Sequence, residues 1–215
     1  MPSKVASPAQ WQKERAELLK KEKAATHLLS DISASRRDLP MVKIDDPVRF
    51  QFDTLDGKKS LVDLFAGRRQ LVLYHFMLKE EDKEGCVGCS FLMDHIPNLS
   101  HLWSRDTSFV AVAQAPIEKV QAFKQRMGWK FPFYSSGKTF DDADKAGEVV
   151  TWKPGNGYFG FSVFLREGDE IFHTYSTTDR GVEVLLSTYA LLDMTPLGRQ
   201  EVGNGIGLFR LHDQY

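Results

Sequence analysis

The sequence predicts an α/β fold in which one mixed β-sheet carries helices on both faces, and three observations support this prediction. A nearly unbroken apolar run, Gln70–Met77, is rich in β-formers, as expected of a central strand covered on both sides. A second buried run, Phe109–Ala113, follows a segment with helical spacing. Two more runs, Phe161–Leu165 and Ile171–Tyr175, flank a Glu-Gly-Asp turn and predict a β-hairpin. Right-handed crossovers join these runs into one sheet.

The N-terminal residues predict a helix followed by an extended connection. The segment from Pro8 to about Ala25 is rich in Lys, Glu, Ala and Leu, and Ser7 supplies an N-cap before a first-turn proline. We interpret it as an amphipathic helix. Residues 30–47 mix Asp, Ser, Arg and proline without periodicity, which favours an extended link with a boundary near Pro40. The predicted organisation is an N-terminal helix and arm over residues 1–47, a domain over 48–193 and a C-terminal extension over 194–215.

The remaining segments complete the predicted order of elements. Residues 49–65 alternate in polarity around Asp56-Gly57 and predict a small hairpin followed by a short helix. Residues 90–103 have helical spacing that Pro97 interrupts. Helical spacing returns over residues 118–127.

The second half of the chain is predicted to be less regular. After Trp129–Tyr134 the chain becomes polar and glycine-rich through Gly157, and we expect a long irregular excursion with little regular structure there. Residues 181–192 predict a last helix that stops before Pro196. The core order is therefore βαβα followed by ββα, which is the thioredoxin order.

Composition excludes several classes of function. The 28 basic residues nearly balance the 29 acidic ones, so no global field attracts nucleic acid or anionic lipid, and we expect no nucleic-acid partner. No apolar run approaches the length that crosses a bilayer, and no apolar core precedes a small-residue cleavage site. We therefore expect a cytoplasmic protein without a membrane partner.

The chemistry of the sequence is concentrated in Cys86-Val87-Gly88-Cys89, which follows the predicted central strand and opens a helix. At a helix start, unpaired backbone N–H groups and the helix dipole lower a thiol pKa. This predicts Cys86 as the nucleophile and Cys89 as the resolving thiol of a redox pair. The acidic loop Lys79–Glu84 opposes the thiolate, so we expect a modest activation.

Two alternatives to redox chemistry stay open. Two cysteines at this spacing are also half of a tetrahedral zinc site, although the sequence has no second such pair and no closely spaced histidine pair. Inert cysteines are the other alternative. Among further candidates, His75, Asp94, His95 and His173 can exchange protons if they approach the motif, but each is more often a packing or solvent-facing residue. The aromatic clusters 129–134 and 158–164 favour core over a substrate groove.

The chain resembles a bacterial thioredoxin-like family of unknown function, the DUF899 type, related to thioredoxins and peroxiredoxins. The resemblance covers nearly the whole chain. It implies a thioredoxin-like fold and a dithiol–disulfide oxidoreductase activity. The segments that carry it are Leu71–Met77, Cys86–Ser90, Met127–Trp129, Phe172–Ser176 and Leu192–Glu201.

Two departures from ordinary thioredoxins affect the expected substrate. Gly160-Phe161-Ser162 stands where thioredoxins carry a cis-proline, and Gly85 stands where they carry a tryptophan. These departures favour a peroxide, a small disulfide or a dedicated partner over general polypeptide docking. We expect a cellular reductant to reopen the disulfide, no cofactor and no metal, and we leave open a homodimer. The competing hypothesis is a noncatalytic binding module or a module that holds a soft metal.

Overall fold

The computed structural model describes residues 4–155, 158–201 and 209–215. The chain divides into two compact units, Met1–Pro40 and Met41–Tyr215. The division of the chain at residues 47 and 193 remains a prediction.

The first unit contains one helix, α1 (Pro8–Arg37), which is longer than the sequence indicates. The Ser7 side chain caps it by accepting from the Gln10 backbone N–H at 3.3 Å, as predicted. The prediction of an extended link from residue 30 is wrong. Three serine hydroxyls donate to backbone carbonyls four residues earlier. Their hydrogen bonds are therefore satisfied within the helix, and the helix continues through these serines. None of the residues of α1 is buried, so the predicted apolar face has no packing partner within this unit.

The second unit is built on a mixed sheet with eight strands among the described residues. The strands are β1 (Val42–Lys43), β2 (Gln51–Thr54), β3 (Gly57–Ser60), β4 (Gln70–Phe76), β5 (Thr107–Ala113), β6 (Phe133–Ser135), β7 (Gly160–Glu167) and β8 (Glu170–Thr177). Their order across the sheet is β1-β8-β7-β4-β5-β6-β2-β3. Strand β4 runs parallel to β5 and antiparallel to β7, and β5 is parallel to β6.

Short helices connect the strands of the second unit. They are α2 (Leu61–Leu64), α3 (Val87–Met93), α4 (Ser100–Trp103), α5 (Ile117–Arg126), α6 (Asp141–Lys145) and α7 (Ser187–Asp193). The predicted helix over residues 90–103 is divided between α3 and α4, with Pro97 in the break, as the proline predicts. The predicted last helix is also divided, because a 3-10 helix, Asp179–Leu185, precedes α7.

The excursion predicted after Tyr134 has little regular structure over its described residues, where α6 is a helix of five residues, whereas the strand β6 at its start was not predicted. Phe133 of β6 is fully buried and pairs with Ala111 of β5. A strand of three residues has no recognisable period, and its pairing with β5 stabilises it only in the folded chain. Helix α6 begins with acidic residues, which its N-terminal dipole favours.

Two hydrophobic clusters lie on opposite faces of the sheet. Alternate side chains of β4 point to opposite faces, so Leu71 and Leu73 join one cluster with α2, while Tyr74 and Phe76 join the other with α3, α5 and α7. Helices therefore cover both faces. The succession β4-α3-β5 followed by antiparallel β7, β8 and then α7 is the thioredoxin order, and the predicted fold class is confirmed.

Candidate active site

The cysteine pair lies where the loop after β4 enters α3. The backbone N–H of Cys86 donates to the Met77 carbonyl at 3.1 Å, which closes the loop between them. Cys86 is the N-cap residue of α3, and its carbonyl accepts from the Ser90 N–H at 2.9 Å. The first sulfur is therefore at the amino end of the helix and the second lies inside the first turn, as predicted.

The acidic loop before the motif is held in one arrangement by its own polar groups. The Asp82 carboxylate accepts from the Lys79 backbone N–H at 2.7 Å. The Lys119 ammonium, from α5, donates to the Glu80 carbonyl at 2.7 Å and to the Asp82 carbonyl. These contacts bind the loop to α5, so the loop presents a constant set of charges to Cys86.

Gly85, immediately before the pair, lies against two phenylalanine rings. A Cβ atom built there falls 2.5 Å from a ring carbon of Phe123 and 2.7 Å from ring carbons of Phe76. Both rings are buried and packed in one aromatic cluster, so neither moves away freely. This packing is the physical reason that the position carries no side chain, where thioredoxins have a large one.

The two thiols have opposite electrostatic environments. A hydrogen bond with Cys89 is the main cause that lowers the pKa of Cys86 to about 6; the backbone N–H groups of Gly88 and Cys89 add to it, whereas burial and the Asp82 charge oppose it. Burial raises the pKa of Cys89 well above the ordinary value for a thiol, and its interaction with Cys86 adds to the rise. Cys86 is half-buried and Cys89 is 2% exposed. One sulfur is therefore ionised and reachable near neutral pH, and the other is protonated and enclosed.

A cavity of about 310 Å³ reaches both sulfurs. Apolar and aromatic side chains make most of its wall, and three charged residues from the 3-10 helix after β8 stand at one side. Its lining residues are Tyr74, Met77, Cys86, Gly88, Cys89, Leu92, Tyr158, Phe159, Asp179, Arg180, Val182, Glu183 and Leu186. The mixture of apolar wall and few polar groups is typical of sites for small molecules.

Tyr158 separates this cavity from a second one that also reaches Cys86. The second cavity, of about 390 Å³, is lined by the acidic loop and by Gln114. Tyr158 hydrogen-bonds to Asp179, and the charge of Asp179 is the main cause that raises the pKa of the phenol, so Tyr158 stays protonated beside the thiolate. The Cys86 sulfur thus faces an apolar cavity on one side and an acidic one on the other.

His75 and His173 do not approach the cysteine pair. His75 is adjacent to Tyr74 in β4 and therefore points to the opposite face of the sheet, where its Nε2 lies 3.1 Å from the Ser162 hydroxyl. Burial lowers the pKa of His75 to about 3, so it is neutral. His173 contacts the Thr151 and Ser176 hydroxyls at 2.9 and 2.8 Å. Both histidines are hydrogen-bonded packing residues, the more ordinary of the two interpretations.

Asp94 and His95 also lie outside the cavity. Asp94 accepts from the Trp129 indole at 2.8 Å, and His212 is within 2.8 Å of the same oxygen. His95 contacts the Phe91 carbonyl at 2.6 Å and the Thr188 hydroxyl at 2.7 Å. These contacts link α3 to neighbouring segments and give neither residue access to the sulfurs.

The two aromatic clusters differ in how many of their rings are buried in the core. The rings of Trp129, Phe131 and Phe133 are buried in the core, as expected. In the second cluster Phe161 and Phe164 are buried, whereas Tyr158 and Phe159 line the cysteine cavity. The preference for core is therefore correct for most of these rings and wrong for these two.

Sequence reasoning did not assign several residues of the cavity to the site, among them Tyr74, Asp179 and Arg180. Tyr74 carried a usable signal, because the period of two along β4 places it on the face opposite to His75, with Phe76. Asp179 and Arg180 carried none, because they reach the site only through the return of β7 and β8 to the sheet.

The part of the chain that the structure describes contains neither a metal-binding group of side chains nor a membrane-spanning helix. No group of three or more His, Cys, Asp and Glu side chains there is placed to hold a metal ion. Over the same residues, every helix is too short or too polar to cross a bilayer.

Comparison with solved structures found several that are similar to this chain. A mutant of PrxQ from Xylella fastidiosa is 17% identical over 70% of this chain and 94% of that chain, with a TM-score of 0.41. Peroxiredoxin Q from Xanthomonas campestris is 14% identical over 70% and 96%, with a TM-score of 0.43. Peroxidoxin BcpB from Mycobacterium tuberculosis is 15% identical over 70% and 95%, with a TM-score of 0.41.

Comparison with curated proteins gave no match. The model of a family described as "Bacterial protein of unknown function (DUF899)" matches residues 1–215.

Proposed function

This chain belongs to the DUF899 family of bacterial proteins, and we propose that it is a thiol–disulfide oxidoreductase in which Cys86 is the nucleophile and Cys89 the resolving thiol. The observation that carries the proposal is the asymmetry of the pair. Cys86 has a pKa lowered to about 6 and faces a cavity, whereas Cys89 is enclosed and its pKa is raised. Attack on a disulfide requires an accessible thiolate, and release requires a second thiol beside it.

The first step is attack by the Cys86 thiolate on one sulfur of a disulfide. A bond forms between Cys86 and that sulfur, the disulfide bond breaks, and the other half leaves as a thiolate that takes a proton from water. With a peroxide, the thiolate attacks one oxygen, the O–O bond breaks, and Cys86 becomes a sulfenic acid as an alcohol or water leaves. Both reactions oxidise Cys86 and reduce the substrate.

In the second step Cys89 closes the internal disulfide. Its sulfur attacks Cys86, displacing the substrate thiolate from a mixed disulfide or water from a sulfenic acid. In the mixed disulfide the proton of Cys89 passes to solvent, whereas with the sulfenic acid it joins the leaving hydroxide to form the water. A cellular dithiol then reduces the Cys86–Cys89 bond, and this partner belongs to the proposal, as does a cytoplasmic setting in which such reductants are abundant.

The shape of the site favours a small substrate. The cavity of about 310 Å³ accommodates a low-molecular-weight disulfide or hydroperoxide with an apolar part against Leu92 and Phe159. The second cavity, with Glu81, Asp82 and Glu84, disfavours polyanionic groups on that side. Arg180 and Glu183 stand in the wall of the first cavity and give a polar substrate group a place to bind.

The proposal predicts a defined course of alkylation. The rate of iodoacetamide reaction at Cys86 rises with pH around a midpoint near 6, because the thiolate is the reacting form. In Cys89→Ala the midpoint rises, because the hydrogen bond with the Cys89 side chain is the main cause of the lowered pKa and alanine has no donor. Mass spectrometry of peptides at several pH values measures both, and an exposed model thiol provides the reference.

Oxidation tests the same proposal. Oxidised glutathione or hydrogen peroxide should convert wild type to an internal disulfide, trap a mixed disulfide or sulfenic acid on Cys86 in Cys89→Ser, and leave Cys86→Ser reduced. The proposal is wrong if both wild-type thiols stay free under oxidants that convert thioredoxins.

The metal-holding alternative lacks a specific observation in its favour. Among the described residues, neither His75, His95 nor His173 lines the cavity of the pair, so none of these histidines completes a metal site there, and no group of three or more His, Cys, Asp and Glu side chains is placed to hold a metal ion. Stoichiometric zinc in chelator-washed protein would favour this alternative over the redox proposal.

A further inference from the structure

We propose that Tyr74 is a further catalytic residue: its hydroxyl donates a hydrogen bond to the Cys89 sulfur as that sulfur becomes negative in the resolving step. This inference rests on the proposed function and adds a group to the same site. It assigns a role to a buried tyrosine that the reaction described above leaves unused.

The first observation is the state of the hydroxyl. Tyr74 is in the middle of β4 and is 0% exposed. Its hydroxyl oxygen is enclosed, and no described residue forms a hydrogen bond of good geometry with it. An unpaired hydroxyl in the core is unfavourable, so its presence requires an explanation.

The second observation is the identity of its neighbours. The Tyr74 side chain forms part of the wall of the cysteine cavity. After burial, every interaction that raises the pKa of Tyr74 involves sulfur, first Cys89 by charge and hydrogen bonding and then Cys86 by charge. In return, Tyr74 lowers the pKa of Cys89. The Tyr74 hydroxyl is therefore a near neighbour of the resolving sulfur, without a hydrogen bond of good geometry to it in the resting structure.

The resolving step has a need that this hydroxyl meets. In the reduced protein, the Cys89 thiol donates a hydrogen bond to the Cys86 thiolate. This bond lowers the pKa of Cys86 and raises that of Cys89. Once Cys86 is bound to a substrate sulfur, it carries no charge and no longer accepts this bond. Cys89 must then become a thiolate in an enclosed site, where burial opposes the charge. Apart from the Met77 backbone N–H, Tyr74 is the donor identified at Cys89.

Tyr74 acts in this step as a donor that keeps its proton. The Cys89 proton goes to solvent, the Cys89 thiolate attacks the Cys86 sulfur, the Cys86–Cys89 bond forms, and the substrate thiolate leaves. Throughout, the phenol stabilises the attacking thiolate by hydrogen bonding. A phenol with a raised pKa does not compete as an acid, so Tyr74 lowers the cost of forming the thiolate without being consumed.

Reaction with dithiobis-nitrobenzoate separates the two steps. Each step releases one coloured nitrothiophenolate, the first by attack of Cys86 and the second by attack of Cys89 on the mixed disulfide. In Tyr74→Phe we expect an unchanged first release and a second release that is about tenfold slower, with its pH midpoint about one unit higher, since a hydrogen bond to a charged group is lost. Stopped-flow absorbance across a pH series measures both.

Three controls define the outcomes. Cys89→Ser must abolish the second release, which assigns that phase. Tyr189→Phe removes the hydroxyl of another buried tyrosine that does not line the cavity, and we expect both releases to remain at wild-type rates. The urea midpoint of Tyr74→Phe should equal or exceed that of wild type, because an unpaired hydroxyl has been removed.

Each contrary result has a separate meaning. An equal second release in Tyr74→Phe and wild type at every pH overturns the inference, as does a clear loss of stability in that variant, which would show a partner in the resting state. A wild-type protein that shows only one release contradicts the proposed function itself, and the comparison of variants then distinguishes the two failures.

Discussion

At the residue scale, the chemistry of this protein depends on small differences between neighbouring positions. Cys86 and Cys89 are one helical turn apart, yet one faces a cavity and the other is enclosed, and their pKa values move in opposite directions. Tyr74 and His75 are adjacent in β4, yet the pleat directs one to the sulfurs and the other to a hydrogen-bonded site on the far face. The direction of each side chain therefore decides which of two neighbouring residues reaches the site.

Gly85→Ala tests how closely the loop before the pair is packed. The added Cβ meets the rings of Phe76 and Phe123, so we expect a loss of about 1–3 kcal/mol in the free energy of unfolding and a displaced midpoint for Cys86 alkylation. Urea unfolding and alkylation kinetics measure the two effects. Gly155→Ala is the matched control, because nothing lies within 4 Å of its added Cβ. Equal free energies of unfolding and equal alkylation midpoints in the two variants would show that the rings of Phe76 and Phe123 move aside.

At the scale of secondary structure elements, a buried polar chain links three strands of the sheet. The Ser162 hydroxyl of β7 donates to the Trp152 carbonyl at 2.9 Å and therefore accepts from His75 of β4. The same hydroxyl lies 3.4 Å from that of Ser176, which contacts His173 of β8. Because His75 pairs with Ser162 across β4 and β7, and Ser162 with Ser176 across β7 and β8, the chain favours one register between these strands.

This polar chain predicts a loss of stability in acid. Burial lowers the pKa of His75 to about 3, below the 6.5 of a free histidine. Between these two pH values His75 is protonated in the unfolded chain and neutral in the folded chain. The stability from neutral His75 is complete above pH 6.5 and declines as pH falls toward 3, by on the order of 4 kcal/mol. Urea unfolding at a series of pH values measures it.

Two histidine substitutions, one at His75 and one at an exposed position, test this prediction. In His75→Leu, the decline between pH 6.5 and 3 should become clearly smaller, whatever the variant's stability at neutral pH. In His101→Gln, at an exposed position, the decline should match wild type. An unchanged decline in His75→Leu would assign the acid sensitivity to other groups.

At the scale of the whole molecule, the site is complete within the second unit. All lining residues of the cysteine cavity lie between positions 74 and 186, inside Met41–Tyr215. The units meet after Pro40, at the position of the boundary inferred within the predicted link and before the division at residue 47. The seven residues between include β1, which pairs with β8, and Ile44, which is 8% exposed and belongs to the core.

Two truncations distinguish these boundaries. Deletion of residues 1–40 should leave the melting temperature and the Cys86 alkylation midpoint close to wild type, because α1 has no buried residue. Deletion of residues 1–47 also removes β1 and buried Ile44, and we expect a loss of about 2–5 kcal/mol. Calorimetry and alkylation kinetics measure both truncations. Equal loss in the two would show that the first unit itself stabilises the second.

Much of the fold was predictable because its signals are local. The apolar run of β4, the β-hairpin of β7 and β8 and the break at Pro97 all follow from periodicity or proline geometry within a few residues. Strand β6 and the full length of α1 were not predictable in this way. The former depends on pairing with β5, and the latter on serine side chains that satisfy themselves within the helix.

The placement of two cysteines at a helix start after a buried strand is a local property, and the order of residues alone specified it, because strand and helix periods are set by neighbouring residues. Which groups surround those sulfurs is a property of the folded chain. Tyr158, Asp179 and Arg180 reach Cys86 only after β7 and β8 have joined the sheet. Burial and charge are sums over such distant neighbours, so the pKa values of both thiols depend on how the chain packs.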